Sequence, residues 1–203
     1  MSLEIKISKQ LIPYKYAFKV LQERAIDVQK GQKNELLWIL EHPLTFTAGI
    51  KSKNKEILDK KIPLIKTNRG GKITLHSPGQ KIIYFVINLN KRKKDVRKLI
   101  NIIENCITDF LKMYKINSSP DRKNIGIWVE DKKIAAIGLK ISKWVAYHGC
   151  SINVSNDLSL YKKIIPCGLD NNKITSIELE TKRKIFNVNS NLKKIFLSKL
   201  KKI

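Results

Sequence analysis

Apolar residues recur at helical spacing in two long stretches. Val96, Leu99, Ile100, Ile103, Ile107, Phe110, Leu111 and Tyr114 predict a helix over 95–114. Ala17, Val20, Leu21 and Val28 share one face of a second helix over 13–30, which Pro13 suits at its start and Gly31 at its end. Elsewhere the apolar runs are short and rich in β-branched and aromatic residues. They predict strands over 35–40, ending before His42-Pro43, over 64–67, and over 81–89 ("KIIYFVINL"). "IGIWV-EDK-KIAAIGLKI" predicts a β-hairpin turning at Glu130-Asp131-Lys132. "WVAYHGCSINV" predicts another strand, with His148-Gly149 in its middle. A short helix follows over 157–164, capped by Asp157 or Asn156. The tail "NSNLKKIFLSKLKKI" predicts an amphipathic basic helix with Leu192, Ile195, Phe196 and Leu200 on one side. Helices and strands do not alternate regularly, so the pattern predicts an α+β fold with a mixed or antiparallel sheet. No repeat, low-complexity segment or linker divides the 203 residues, and one domain over 1–203 is expected.

The charge adds a constraint. Lys+Arg number 41 against 17 Asp+Glu, a formal net charge of +24, yet only six of the 41 are arginine. Arginine is the preferred residue for bidentate reading of bases and phosphates. Scattered arginines and 7% aromatic residues therefore argue against a nucleic-acid-binding module. A lysine-biased composition and attraction to an acidic partner both remain compatible with the excess. No apolar run approaches a membrane span, and the first residues lack the apolar core of a signal peptide. Cys106, Cys150 and Cys167 are odd in number and show no CxxC spacing, so a reduced cytoplasmic setting is expected, without a disulfide framework or zinc site.

Four stretches could carry chemistry. "RGGKITLHSPGQ" (69–80) concentrates glycine, proline, arginine and His76, and is not a P-loop because Gly-Lys-Ser/Thr is absent at the required spacing. "KKIAAIG" (132–138) offers a low wall of small residues on which an extended apolar ligand could lie, preceded by Lys132 or Lys133. "YHGCS" (147–151) holds His148, either a satisfied core histidine or a site residue, and a glycine of the kind that marks a bulge or a close approach. In "IIPCG" (164–168), Cys167 sits between proline and glycine, where the backbone turns. A thiol with an ordinary pKa of about 8.5 needs a nearby base or cation to react as thiolate. Cys106, beside the apolar stripe of its helix, reads as a small filler.

The stretches "RGGKITLHSPGQKIIYFVINL", "KKIAAIGLKI", "YHGCSINV", "DLSLYKKIIPCG" and "ITS" resemble, in order and spacing, the LipB family of octanoyltransferases of lipoate synthesis, from His42-Pro43 to Ser176. The resemblance implies the catalytic-domain fold shared by biotin and lipoate protein ligases, a mixed sheet with helices packed around it. It implies that an octanoyl group passes from acyl carrier protein to a lysine of lipoyl domains, those of 2-oxoacid dehydrogenases and of glycine cleavage H protein; a monomer is expected. No cofactor and no metal are implied. On this resemblance Cys167 matches the acyl-thioester cysteine and Lys133 its lysine partner, in preference to Lys140. The acyl-binding segments match Arg69, Gly70, Gly71, Lys72, Ile73, Thr74, Leu75 and His76, then Ala136, Ile137 and Gly138, then Gly149, Cys150 and Ser151. His148 is a candidate for oxyanion stabilisation or positioning. The chain departs from the family pattern at Ser77, where glycine is usual, and at Cys150, where an apolar residue is expected. The rival within the fold is an ATP-dependent lipoate or biotin ligase. Adenylate transfer needs no nucleophilic cysteine, and an adenylate loop of the GRGRRG type is absent.

Overall fold

The computed structural model describes residues 2–121, 124–165 and 173–201. The chain opens with a strand, β1 (Leu3–Leu11), rather than the helix the apolar pattern puts first. Helix α1 (Tyr14–Gln29) and strands β2 (Glu35–Glu41), β3 (Thr45–Ala48), β4 (Leu64–Lys66), β5 (Ile73–His76) and β6 (Gln80–Asn88) follow. After α2 (Val96–Lys112) come β7 (Ser119–Asp121), β8 (Gly126–Val129), β9 (Lys132–Ser142) and β10 (Val145–Asn153). A 3₁₀ turn (Leu158–Lys163), α3 (Ile177–Thr181) and α4 (Val188–Leu200) complete the described elements.

Seven strands form one sheet in the order β1-β2-β6-β10-β9-β8-β7; only the β1–β2 pair is parallel. A smaller sheet, β4-β3-β5, is also mixed. The α+β expectation holds.

Period-2 alternation sorts the side chains of the large sheet onto two faces. Leu37, Ile39, Ile83, Phe85 and Ile87 meet Leu99, Ile103, Ile107 and Phe110 of α2 and Leu192, Phe196 and Leu200 of α4. Asp95 caps α2 by accepting the Lys98 N–H at 2.8 Å. On the opposite face Leu36, Trp38, Leu40, Ile82, Tyr84 and Val86 pack on Ala17, Leu21, Ala25 and Val28 of α1. The small sheet forms a third cluster, in which Phe46, Ile73 and Leu75 enclose Tyr161, Ile164 and Ile174. No helix among the described residues is long and apolar enough to cross a membrane.

The tail helix docks on the core, which explains its apolar stripe; Leu192 and Phe196 are fully buried. Strands β1, β3 and β7 escape the sequence pattern. β1 is an edge strand with exposed lysines and one half-buried face, and Lys6 lies 4.3 Å from the Trp38 ring centre, covering β2 with its aliphatic stem. β7 is three residues long and contains Pro120, tolerable only on an edge.

Candidate active site

Lys133 opens β9. Of the 35 lysines in the chain it is the one buried among the described residues, 4% exposed, whereas Lys132 beside it is exposed and Lys140 half-buried. Its Nζ donates to the Ile125 carbonyl at 3.0 Å and lies 5.2 Å from the Trp128 ring centre. Its backbone is clamped from the other side. The Lys133 N–H donates to the Lys173 carbonyl (2.8 Å), and its carbonyl accepts from the Thr175 N–H (3.0 Å). A buried ammonium is costly unless it is partnered, and one carbonyl and one ring are a thin set of partners.

Lys133 lies in a small cleft with Ala135 and Ala136 of β9 and Ser151 and Asn153 of β10. Thr74, Tyr161 and Ile174 complete the wall. Thr74, Lys133, Ala136 and Ser151, anticipated from the sequence, thus come together here. Ala135, Asn153, Tyr161 and Ile174 join them without having been singled out. The signal for Asn153 was a polar residue inside an otherwise apolar strand, which burial makes expensive unless it is hydrogen-bonded.

Those bonds exist. Gln80, fully buried, donates from Nε2 to Asn153 Oδ1 (2.9 Å) and to the Tyr161 hydroxyl (3.0 Å). Its Oε1 accepts from His76 Nδ1 at 2.8 Å. Asn153 in turn donates to the Thr175 carbonyl at 3.0 Å. One network therefore joins the turn before β6, the cleft floor, the 3₁₀ turn before Cys167 and the segment that clamps Lys133.

The loop before β5 lies on β9: the Gly70 N–H donates to the Leu139 carbonyl at 2.9 Å, next to Gly138. Arg69 holds this loop together. Its guanidinium donates to the carbonyls of Gly70, Lys72 and Thr47 and to the Thr47 hydroxyl, at 2.8–3.1 Å, while Nε is buried without a partner. Ile73 and Leu75 point into the small sheet's core, and Lys72 pairs with Glu56 at 3.5 Å. Ile137 packs partly against the α2 core.

His148 has a φ of +70°, in the left-handed region that is uncommon for residues other than glycine. The kink puts its ring on the α1 face, stacked on Phe18 (5.5 Å between centres) and Tyr147 (5.0 Å). Nε2–H donates to Asn68 Oδ1 at 2.7 Å, and Asn68 donates onward to the Tyr147 hydroxyl at 2.8 Å. His148 thus anchors the Arg69 loop from its other end. Burial pulls its pKa down to about 3, so the ring is neutral. At the next residue only glycine fits, since a Cβ on Gly149 would lie 1.9 Å from the Ile83 carbonyl oxygen. Cys150 then faces the apolar α2 core, on the other side of the sheet from Ser151 and Asn153. Burial raises its thiol pKa well above the usual value and pushes that of Cys106 up to about 12.

His42 and His76 are buried beside Tyr14 and Tyr84. Burial lowers both, His42 to about 4 and His76 well below its usual value, helped for His76 by neighbouring His42. The serine at position 77 leaves the turn intact: the positive φ (+84°) falls on Gly79, where a Cβ would lie 2.7 Å from the Asn156 nitrogen. Cys167 lies outside the described residues. The chain on either side of it is held, Ile165 N–H to the Glu56 carbonyl (2.8 Å) and Lys173 to Lys133. No cluster of three or more His, Cys, Asp or Glu side chains among the described residues is placed to hold a metal ion.

Comparison with known proteins identifies the family. A family model described as the lipoyl protein ligase A/B catalytic domain matches residues 13–196. An octanoyltransferase of Wolbachia sp. subsp. Brugia malayi (strain TRS) is 42% identical over 200 residues, 96% of this chain and 98% of that one. An octanoyltransferase of Wolbachia pipientis wMel is 45% identical over 177 residues, 85% and 86% of the two chains. Among solved structures, a lipoate-protein ligase A bound with ATP superposes with a TM-score of 0.76 at 15% identity, covering 98% of this chain and 86% of the other. The bipartite lipoate protein ligase of Thermoplasma acidophilum gives 0.74 at 15% identity, covering 99% and 84%. Those structures share the fold, and the sequence relatives place the branch: the chain belongs to the lipoyl protein ligase A/B catalytic-domain family, among its LipB members.

Proposed function

We propose that this acyltransferase moves an octanoyl group from the thioester of acyl carrier protein to a lysine amine of a lipoyl domain, through a thioester on Cys167. The observation that carries the reading is Lys133, buried in the cleft and clamped by the segment that follows Cys167 in the chain. The octanoyltransferases of Wolbachia, identical at 42% and 45%, support the acyl group and the reaction class.

In the first step the Cys167 thiolate attacks the donor's carbonyl carbon. The carrier's thiolate leaves and takes up a proton. A cationic Lys133 favours the attacking thiolate by charge, and a neutral one would take the thiol proton. In the second step the acceptor amine attacks the Cys167 thioester, an amide forms, and the thiol is released. The amine's proton passes to Lys133 or to water. Exchange between thioesters is nearly balanced, so amide formation drives the sequence and no ATP is consumed. Ala135 and Ala136, the smallest side chains of the cleft wall, mark the side of Lys133 on which the acyl chain would begin. Burial of six methylenes at about 0.8 kcal/mol each gives about 5 kcal/mol, enough to select a medium chain over acetyl. The protein acts as a single domain and a monomer in the cytoplasm, on lipoyl domains of 2-oxoacid dehydrogenases and of glycine cleavage H protein.

The test is transfer from octanoyl-acyl carrier protein to an apo lipoyl domain without ATP, read as the domain's mass. A domain gaining one octanoyl amide supports the reading. Modification that requires free octanoate and ATP would make the protein a ligase.

A further inference from the structure

The segment from Ile50 to Lys61, between β3 and β4, forms a basic ridge. Lys51, Lys53, Lys55, Lys60 and Lys61 are all exposed, and none takes part in an ion pair among the described residues. The two acids of the segment do not offset them. Glu56 is 3% exposed, accepts the Lys53 N–H and meets Lys72, and Asp59 pairs with Lys163 at 3.3 Å. Two apolar side chains stand out between the lysines, Ile50 (63% exposed) and Leu58 (53%).

The ridge is stitched to the chain that leads into Cys167. Leu58 and Asp59 N–H groups donate to the Lys163 carbonyl at 3.0 and 3.1 Å, Ile57 bridges Ile164, and the Ile165 N–H donates to the Glu56 carbonyl. A molecule seated on it would therefore rest against the backbone two residues before the proposed nucleophile.

We propose that this ridge is the docking surface for the acyl donor, a carrier protein with an acidic face. The inference rests on the acyl transfer proposed above and adds where the donor sits. Unpaired cations attract an acidic partner over roughly 8 Å at physiological salt and raise its association rate. Exposed aliphatic side chains among them supply a desolvated centre for the contact. The choice of donor over acceptor follows from the charge that each partner's arm carries. The donor's arm is joined to the carrier's acidic surface through a phosphodiester anion, which the ridge attracts together with that surface. The acceptor brings a lysine ammonium, which the ridge repels.

A second basic patch provides the internal comparison. Lys182, Arg183 and Lys184 are exposed next to Phe186, which is 73% exposed, but no hydrogen bond joins them to residues 163–165 among the described residues. The experiment measures the Kd of octanoyl-acyl carrier protein for three variants: Lys51→Glu/Lys53→Glu/Lys55→Glu, Lys60→Glu/Lys61→Glu, and Lys182→Glu/Arg183→Glu/Lys184→Glu. Melting temperatures establish that each is folded. The ridge variants are expected to weaken binding about tenfold or more, with the loss shrinking at high salt, and the 182–184 variant to stay within about twofold. Unchanged Kd in both ridge variants overturns the proposal, as does a loss confined to the 182–184 variant or to binding of the lipoyl acceptor. If these results come from a protein that transfers octanoyl normally, the ridge alone is refuted. A wild-type protein that transfers nothing refutes the proposed function and removes the ridge's partner with it.

Discussion

The two faces of the large sheet are made by the same strands and behave differently. Toward α2 and α4 the buried contacts are predominantly hydrophobic, with the thiols of Cys106 and Cys150 among them. Toward α1 and the small sheet the apolar packing of Trp38, Ile82 and Leu21 gives way, along β10, to His148, Ser151 and Asn153. The histidines at 42, 76 and 148, buried Arg69, Gln80 and Lys133 belong to this side. The first face is stabilised by volume and tolerates exchange of one hydrophobe for another. The second is held by hydrogen bonds among buried polar groups, such as Gln80 with Asn153 and Tyr161, each of which costs free energy when its partner is removed. The apolar face is built for packing and the polar face carries the proposed site, and β10 serves both through period-2 alternation.

Substitutions separate the two roles, beginning with the largest effect. Phe196→Ala removes a fully buried ring from the apolar face and is expected to cost about 3–5 kcal/mol in urea unfolding. Transfer activity per folded molecule should be kept; a selective loss of activity would mean the faces are coupled. Gly149→Ala forces β10 away from Ile83 and is expected to cost about 3 kcal/mol while also displacing Ser151, so that stability and activity fall together. Gln80→Leu leaves Asn153, Tyr161 and His76 short of partners, at about 2–3 kcal/mol, and should reduce activity even where the protein is fully folded. Stability equal to wild type would show that the network is not needed.

The smallest effect, per unit, is on pH. The folded pKa values of His42 and His148, about 4 and about 3, lie below their ordinary 6.5. Protons therefore bind the unfolded chain first. Stability is full above about pH 6.5 and is lost as pH falls toward 4, by up to about 1.4 kcal/mol per unit for each histidine. Denaturant unfolding at pH 7, 6 and 5 checks the slope, and His148→Gln should reduce it. An unchanged slope in that variant would contradict the buried, neutral histidine.

The apolar face was legible in the sequence because periodicity reports packing. Leu99, Ile103, Ile107 and Phe110 identify α2 within two residues of its ends. β1 was not, because an edge strand exposing Lys6 and Lys9 has little apolar pattern to show. On the polar face, Arg69, Thr74, Ala136 and Ser151 were accessible through the motif resemblance. Gln80, Asn153 and Tyr161 were not, since their importance depends on three segments meeting in space. Lys132 and Lys133 show the same limit: pattern gives two neighbouring lysines, the motif resemblance chooses Lys133, and the fold buries Lys133 while leaving Lys132 exposed.

The central claim is that acyl transfer passes through Cys167. Intact mass of the protein after exposure to octanoyl-acyl carrier protein, without ATP, tests it in wild type and in Cys167→Ser. The account predicts one octanoyl adduct on wild type, removed by hydroxylamine, and no hydroxylamine-labile adduct on the variant. A labile adduct that persists in Cys167→Ser, or a wild-type protein that transfers octanoyl without ever carrying it, would contradict the account.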